Sequence, residues 1–305
     1  MEKGAKIVVT GGAGFIGSHL VDRLVHDQAG EIMVYDNFSR GLESNVKQHV
    51  GNPQVQVMQA DLLDYPNLEK SCAGAKYIFH LGAQSNVMGS VQDPDSSFRN
   101  NVIGTLNVLK AAQYHQVQRV VFTSSREVYG EARSLPVEET HPTGGKNHYG
   151  ASKAAGEIYC QLFSGELNTP VSILRLANVY GERDYGRVIP LWIGQAVKGE
   201  NLTVYGGKQE IDFIWIDIVV EALLRAAEYD VVGCPINIGS GQGTSILDLG
   251  RRIIEISGSK SKLEILPARS AEVVRFAAHN GRMRSLLNLQ PPDDPLYGLY
   301  RMMAA

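Results

Sequence analysis

Short, continuously apolar runs alternate with longer stretches in which apolar positions recur every three or four residues, and this rhythm governs the first 180 positions. Lys6-Ile-Val-Val-Thr10 is β-branched and apolar, as a strand buried on both faces of a parallel sheet should be. It passes through Gly11-Gly-Ala-Gly14-Phe-Ile-Gly17 into residues 18–25, and Ile16 with Leu20, Val21 and Leu24 marks one helical stripe. Further strands are predicted at 31–35, ending at Asp36, and at 55–60, 77–81, 119–125 and 171–174. Helices are predicted over 67–72, 98–113 and 149–162. Such alternation gives an α/β fold built on a doubly wound parallel (Rossmann) sheet, whose ligands gather at the carboxyl ends of the strands.

Beyond Gly181 the order changes. A helix is expected to begin within 185–192, Leu202–Tyr205 reads as a strand before a Gly206-Gly207 turn, and 211–217 opens a helix with Asp217 as its cap. Residues 235–241 return to the sheet, and a last clear helix over 246–256 stops at Gly258. No linker, repeat or low-complexity run divides the chain, so a cleft between its parts is expected to be built by interleaved segments.

Composition narrows the function classes. With 305 residues the chain can bury a substantial core. Twenty-nine basic against 32 acidic side chains leave a formal net charge of −3, which offers no general attraction for nucleic acid or an anionic membrane. Cys72, Cys160 and Cys234 are far apart and form no Cys-x-x-Cys pair, so neither a disulfide framework nor a metal site is expected. No segment approaches about 18 consecutive apolar residues, and a cytoplasmic location is the default expectation.

Candidate chemistry lies at the ends of the predicted strands. The glycines at 11, 14 and 17 form a strand-to-helix turn that lets backbone amides approach a pyrophosphate. Asp36 stands where a carboxylate would accept hydrogen bonds from an adenosine ribose and repel a 2′-phosphate, favouring NAD over NADP; alternatively it caps the following turn. Tyr149 and Lys153 are four residues apart in a predicted helix and share one face. A nearby ammonium lowers a phenol's pKa and makes it a usable base, although the same spacing also occurs on solvated faces. Ser125 ends the fifth strand, where its hydroxyl either reaches the same reacting oxygen or caps a turn. His80 lies inside an apolar strand and reads as a core residue.

Thr10-Gly-Gly-Ala-Gly-Phe-Ile-Gly17, Asp61-Leu62, His80-Leu-Gly-Ala-Gln84, Asn101-Val-Ile-Gly-Thr105, Ser124-Ser-Arg-Glu-Val-Tyr-Gly130, Tyr149 with Lys153, and Arg175-Leu-Ala-Asn-Val-Tyr-Gly181 follow one another in order. On these motifs the chain, to about Arg269, resembles the extended short-chain dehydrogenase/reductase family in its nucleotide-sugar epimerase and dehydratase branch. The resemblance implies a dinucleotide domain (1–175 with 210–240) and a smaller substrate-binding cap (176–209 with 241–305). It implies NAD held by Gly11, Gly14, Phe15, Ile16, Gly17, Asp36, Asn37, Asp61, Leu62, Leu81, Ala83, Tyr149 and Lys153. Tyr149 resembles the general base, Lys153 the residue that tunes it, and Ser125 the hydroxyl that shares the reacting oxygen. Asn101 resembles a structural asparagine. Gln84, Ser125, Arg126, Glu127, Asn178, Arg187 and Arg269 are the implied contacts to a nucleotide-diphosphate sugar. Helices at 98–113 and 150–163 resemble those of a homodimer interface.

Two departures bear on the reaction. The family commonly carries an arginine two residues before Phe213 that pairs with the diphosphate, whereas this chain has Ile211 preceded by Glu210, leaving Arg187 or Arg275 to substitute for it beside Arg269, which resembles the family's second diphosphate arginine. Dehydratases of the branch place aspartate then glutamate after the catalytic hydroxyl; here Arg126 and Glu127 follow, and arginine donates no proton at neutral pH. The resemblance therefore implies a nucleotide-sugar 4-epimerase acting through a 4-keto sugar. The alternatives are a hexuronate decarboxylase, a dehydratase or ketoreductase, and a cofactor-binding sensor or scaffold without chemistry.

Overall fold

The computed structural model of the chain describes residues 1–268 and 273–304. Its first half supplies β1 (Lys6–Thr10), β2 (Ile32–Asp36), β3 (Val55–Gln59), β4 (Ala75–His80), β5 (Arg119–Ser125) and β6 (Val171–Leu176). Between them run α1 (Phe15–His26), α2 (Tyr65–Cys72), α3 (Val87–Gln92), α4 (Pro94–Phe98), α5 (Gly104–Tyr114) and α6 (His148–Glu166). The second half adds the strands β7 (Asn178–Tyr180), β8 (Leu202–Tyr205), β9 (Glu210–Trp215), β10 (Pro235–Ile238), β11 (Gly243–Ser245) and β12 (Leu263–Leu266). Its helices are α7 (Val188–Val197), α8 (Ile216–Glu228), α9 (Ile246–Ser257), α10 (Gly281–Leu286) and α11 (Leu299–Ala304).

Seven strands form one parallel sheet in the order β10-β6-β5-β4-β1-β2-β3. The chain winds outward from β1 to β3, returns to β4, and winds outward the other way. A crevice therefore opens between the ends of β1 and β4, where the winding reverses. Successive residues of β1 feed opposite layers: Ile7 and Val9 belong to a core with Leu20, Val21 and Leu24 of α1, while Val8 packs with Tyr35, Leu68, Ile78 and Val108. All of these but Tyr35, at 1%, are fully buried, and burying each apolar side chain contributes roughly 1.5–3 kcal/mol.

Two small sheets cover the strand ends. Only Ala177 separates β6 from β7, and β7 pairs parallel with β9, which pairs antiparallel with β11. β8 and β12 form a parallel pair. Asp212, fully buried in β9, ties these parts together: it accepts hydrogen bonds from Ser240 N (2.8 Å), Ser240 Oγ (2.7 Å), Gly241 N (3.0 Å) and Ala278 N (2.9 Å).

Several expectations need correction. The run 211–215 is a strand, and α8 begins at Ile216 with Trp215 as its N-cap; a short apolar run carries no period that separates strand from helix. Asp217 is no cap but lies in the first helical turn, where it accepts from Arg301 Nη1 at 2.9 Å. Residues 185–187 are loop, because Gly186 sits at φ +74°, and α7 starts at Val188. The helix expected over 98–113 runs from α4 through a π turn (Arg99–Ile103) into α5, and two short helices follow α9. Asn101, in that π turn, accepts from Gln84 N (2.8 Å) and donates to Gln84 O (3.0 Å) and Ser152 Oγ (2.8 Å), a structural tie between the loop after β4 and α6. His80 is buried between the hydroxyls of Thr10 (2.8 Å) and Thr105 (3.0 Å). Among the described residues no helix is long and apolar enough to cross a membrane.

Candidate active site

A cleft of about 1030 Å³ follows the carboxyl ends of the central strands. At one end, Gly11 adopts φ +69°, and a Cβ there would lie 2.7 Å from Gly82 N; a Cβ on Gly17 would lie 2.1 Å from Gly11 O. Only glycine lets the start of α1 press against the turn. Gly14 is the N-cap of α1 and has no side chain to satisfy the first helical N–H groups, so these are available to an anion. Asp36 caps the turn that follows it: its carboxylate accepts from Ala13 N (3.0 Å) and Phe38 N (2.9 Å), which fixes the glycine turn against the following bend, and the residue also lines the cleft. Burial raises its pKa. Asn37 donates to Asp61 Oδ2 at 2.8 Å, while Leu63 N bonds Asp61 Oδ1 at 2.8 Å. Leu62, Leu81 and Ala83 continue the wall.

Toward the middle, β5 ends at Ser125 and α6 begins against it. Asn147 caps α6 by accepting from Gly150 N (2.8 Å), and a Cβ on Gly150 would lie 2.3 Å from Glu127 O, so the helix start abuts the strand end. Tyr149 thereby comes near the Ser125 hydroxyl, close enough for that group to act on its phenol. Burial is the largest influence on that phenol and holds its pKa above the ordinary value; the Ser125 hydroxyl and the charges of Arg187 and Arg126 pull it down, and Glu127 pushes it up.

Lys153 departs from expectation. It is buried one turn along α6, donates from Nζ to Thr123 O at 2.8 Å and lies 4.9 Å from the Phe122 ring centroid. Burial lowers its pKa to about 8. The charges acting most on the phenol are therefore those of Arg187, Glu127 and Arg126 rather than that of Lys153, because the ammonium is drawn down to the β5 backbone.

Beyond Ser125 the wall is charged. Arg126 Nη2 stands 2.9 Å from Glu127 Oε1, and Glu127 Oε2 accepts from Asn147 Nδ2 at 2.8 Å. Gln84 and Asn178 line the cleft, and each holds a buried side-chain oxygen, Oε1 and Oδ1, without a protein hydrogen bond. Such acceptors suit the hydroxyls and N–H groups of a bound nucleotide or sugar. Arg187 lines the same end, 3.7 Å from Asp184 and with its guanidinium 5.8 Å from the Phe15 ring centroid.

Of the predicted site residues, Gly11, Gly14, Phe15, Ile16, Gly17, Asp36, Asn37, Asp61, Leu62, Leu81, Ala83, Gln84, Ser125, Arg126, Glu127, Tyr149, Lys153, Asn178 and Arg187 all line this one cleft. Arg269 lies outside the described residues. Ile211 also lines the cleft, whereas Arg275 is paired with Glu210 (2.7 Å), which neutralises that carboxylate and takes Arg275 away from the role of a free cation. Two residues escaped sequence reading. Asp184 is buried in the cleft wall, and burial raises its pKa to about 6; nothing in its local sequence signals that burial. Asn147 had a readable signal, an asparagine just before a helical run.

Residues 7–239 match the family described as "NAD dependent epimerase/dehydratase family". The chain is 34% identical over 294 residues to the UDP-glucose 4-epimerase of Mycolicibacterium smegmatis, spanning 94% of this chain and 93% of that one. It is 33% identical over 311 residues to UDP-glucuronic acid decarboxylase 2 of Arabidopsis thaliana, spanning 99% of this chain and 68% of the relative. Among solved structures, the UDP-glucose 4-epimerase of Thermotoga maritima with UDP-glucose superposes with a TM-score of 0.92 at 31% identity, covering 98% of this chain and 97% of that one.

Proposed function

The chain belongs to the NAD dependent epimerase/dehydratase family, and on that footing we propose that it is an NAD-dependent nucleotide-sugar 4-epimerase working through a transient 4-keto sugar. The observation that carries the proposal is the Tyr149 phenol beside Ser125, in the cleft that the glycine turn also lines. The residues fit the dinucleotide: the Gly11 to Gly17 turn is shaped for a pyrophosphate, Asp36 and Asn37 for the adenosine ribose, and Asp61 with Leu62 for the adenine. Leu81, Ala83, Tyr149 and Lys153 would hold the nicotinamide half. The chemistry NAD supplies when bound is reversible acceptance of one hydride.

Tyr149 takes the proton from the hydroxyl on sugar carbon 4 and later returns it. Ser125 shares the same oxygen and holds it against the phenol. Burial alone leaves the phenol too weak an acid, so the cations around it, Arg187 and Arg126, lower the cost of forming the phenolate. Lys153, one turn along α6 and in the cleft lining, would bond a ribose hydroxyl of the nicotinamide half. Asn178, Gln84 and Arg187 take the nucleotide diphosphate and sugar.

Retention of Glu127, buried beside the phenol, is the specific observation favouring a second reading, hexuronate decarboxylation. Arg126 in place of an acid disfavours dehydration. Incubating the purified protein with UDP-, GDP-, dTDP- and CDP-sugars and weighing the products separates these: equal mass at a new retention time is expected, and loss of carbon dioxide or water contradicts the proposal.

The assembly is proposed to be a homodimer through α4, α5 and α6, supported by exposed Phe98, Ile158, Tyr159 and Leu162 on those helices. A cytoplasmic location is proposed too, supported by the three free cysteines.

A further inference from the structure

Resting on the epimerase reading, we propose that Arg126 selects the substrate by binding a carboxylate carried on the sugar near the reacting carbon, so that the substrate class is a nucleotide-linked hexuronate. Chain order puts it there: Ser125 lines the cleft beside Tyr149, and the next residue adds a guanidinium whose charge acts on the same phenol. Its side chain is only 11% exposed, so this is not a solvated surface charge. One edge is engaged by Glu127 Oε1 at 2.9 Å, and Arg126 makes no other hydrogen bond to a described residue. A guanidinium carries five N–H donors, so this cleft-lining residue has donors beyond the one that meets Glu127. Its plane is backed by Phe276, which is buried and whose ring centroid lies 5.7 Å from the guanidinium carbon.

The chemistry of that corner points to an anion. A neutral hexose offers only hydroxyls, which an amide or a serine would hold without placing a cation against a base. Glu127 alone would repel a carboxylate on the substrate. Arg126 cancels that repulsion through the ion pair, and its free N–H groups match the planar, two-pronged geometry of a carboxylate. Asn147 holds the other oxygen of Glu127, so the pair is fixed before substrate arrives.

The test compares UDP-hexuronate with the corresponding UDP-hexose, as kcat/KM in wild type, Arg126→Gln and Arg126→Lys, and as Kd by calorimetry in the same three forms on a Tyr149→Phe background. Wild type is expected to prefer the hexuronate. Arg126→Gln should reduce the hexuronate-to-hexose ratio roughly 10- to 100-fold, the scale of one lost charge-assisted bond, and Arg126→Lys, which keeps the charge but not the two-pronged fork, should restore only part of it. A ratio unchanged by Arg126→Gln, or a wild-type preference for the hexose, overturns the assignment. Turnover of neither sugar would contradict the epimerase reading instead, and the calorimetric ratio would still decide the role of Arg126.

Discussion

Replacing Lys153 with methionine should stabilise the nucleotide-stripped fold while abolishing turnover. The side chain is 2% exposed, and burial lowers the ammonium pKa from 10.5 to about 8. At about 1.4 kcal/mol for each pH unit, carrying the charge into the fold at pH 7 costs about 3 kcal/mol. Methionine is of similar length and carries no charge, but it forfeits the bond to Thr123 O and the contact with the Phe122 ring, about 1–2 kcal/mol together. The net expectation is a gain of about 1–2 kcal/mol at pH 7. The sign with pH follows: between about 8 and 10.5 the unfolded chain binds more protons than the folded one, so wild-type stability rises across that window and the variant's lead shrinks. Urea unfolding of both proteins at pH 7 and near pH 10, with turnover measured in parallel, reads all of this. A variant less stable than wild type at pH 7, or a lead that does not shrink as pH rises, would refute the reasoning.

Asn147→Ala removes the cap of α6 and one partner of buried Glu127, and is expected to lower stability by about 1–3 kcal/mol in thermal unfolding together with a fall in kcat. Gly17→Ala forces a Cβ to 2.1 Å from Gly11 O, so the purified variant should carry no dinucleotide when the nucleotide released on denaturation is quantified; full occupancy would contradict the packing argument. Ile211→Arg supplies the cleft with the cation that the family places there and should lower KM for the nucleotide sugar several-fold with kcat nearly unchanged, the signature of uniform binding.

Much of this was legible before any coordinates, for identifiable reasons. Strands buried on both faces advertise themselves as continuous β-branched runs, so β5 was placed at its observed limits and β1 likewise. The glycine turn and the Tyr149 step are local, and local signals survive folding. What failed was set by tertiary context. The run 211–215 is short and apolar and became a strand because β7 and β11 flank it, which no residue within it announces. The ammonium of Lys153 went to Thr123 O because α6 packs on β5, and a four-residue spacing fixes only the face, not the partner. Asp184 sits in a loop, and no neighbour along the chain announces its burial.

The most direct test uses a UDP-sugar carrying deuterium at carbon 4. The wild-type enzyme with NAD should yield the 4-epimer at unchanged mass with the label still on carbon 4, and Tyr149→Phe should yield nothing above background. Label lost to solvent, or epimer formed at the wild-type rate without the phenol, would contradict a phenol-driven inversion in which one hydrogen leaves and returns within the cleft.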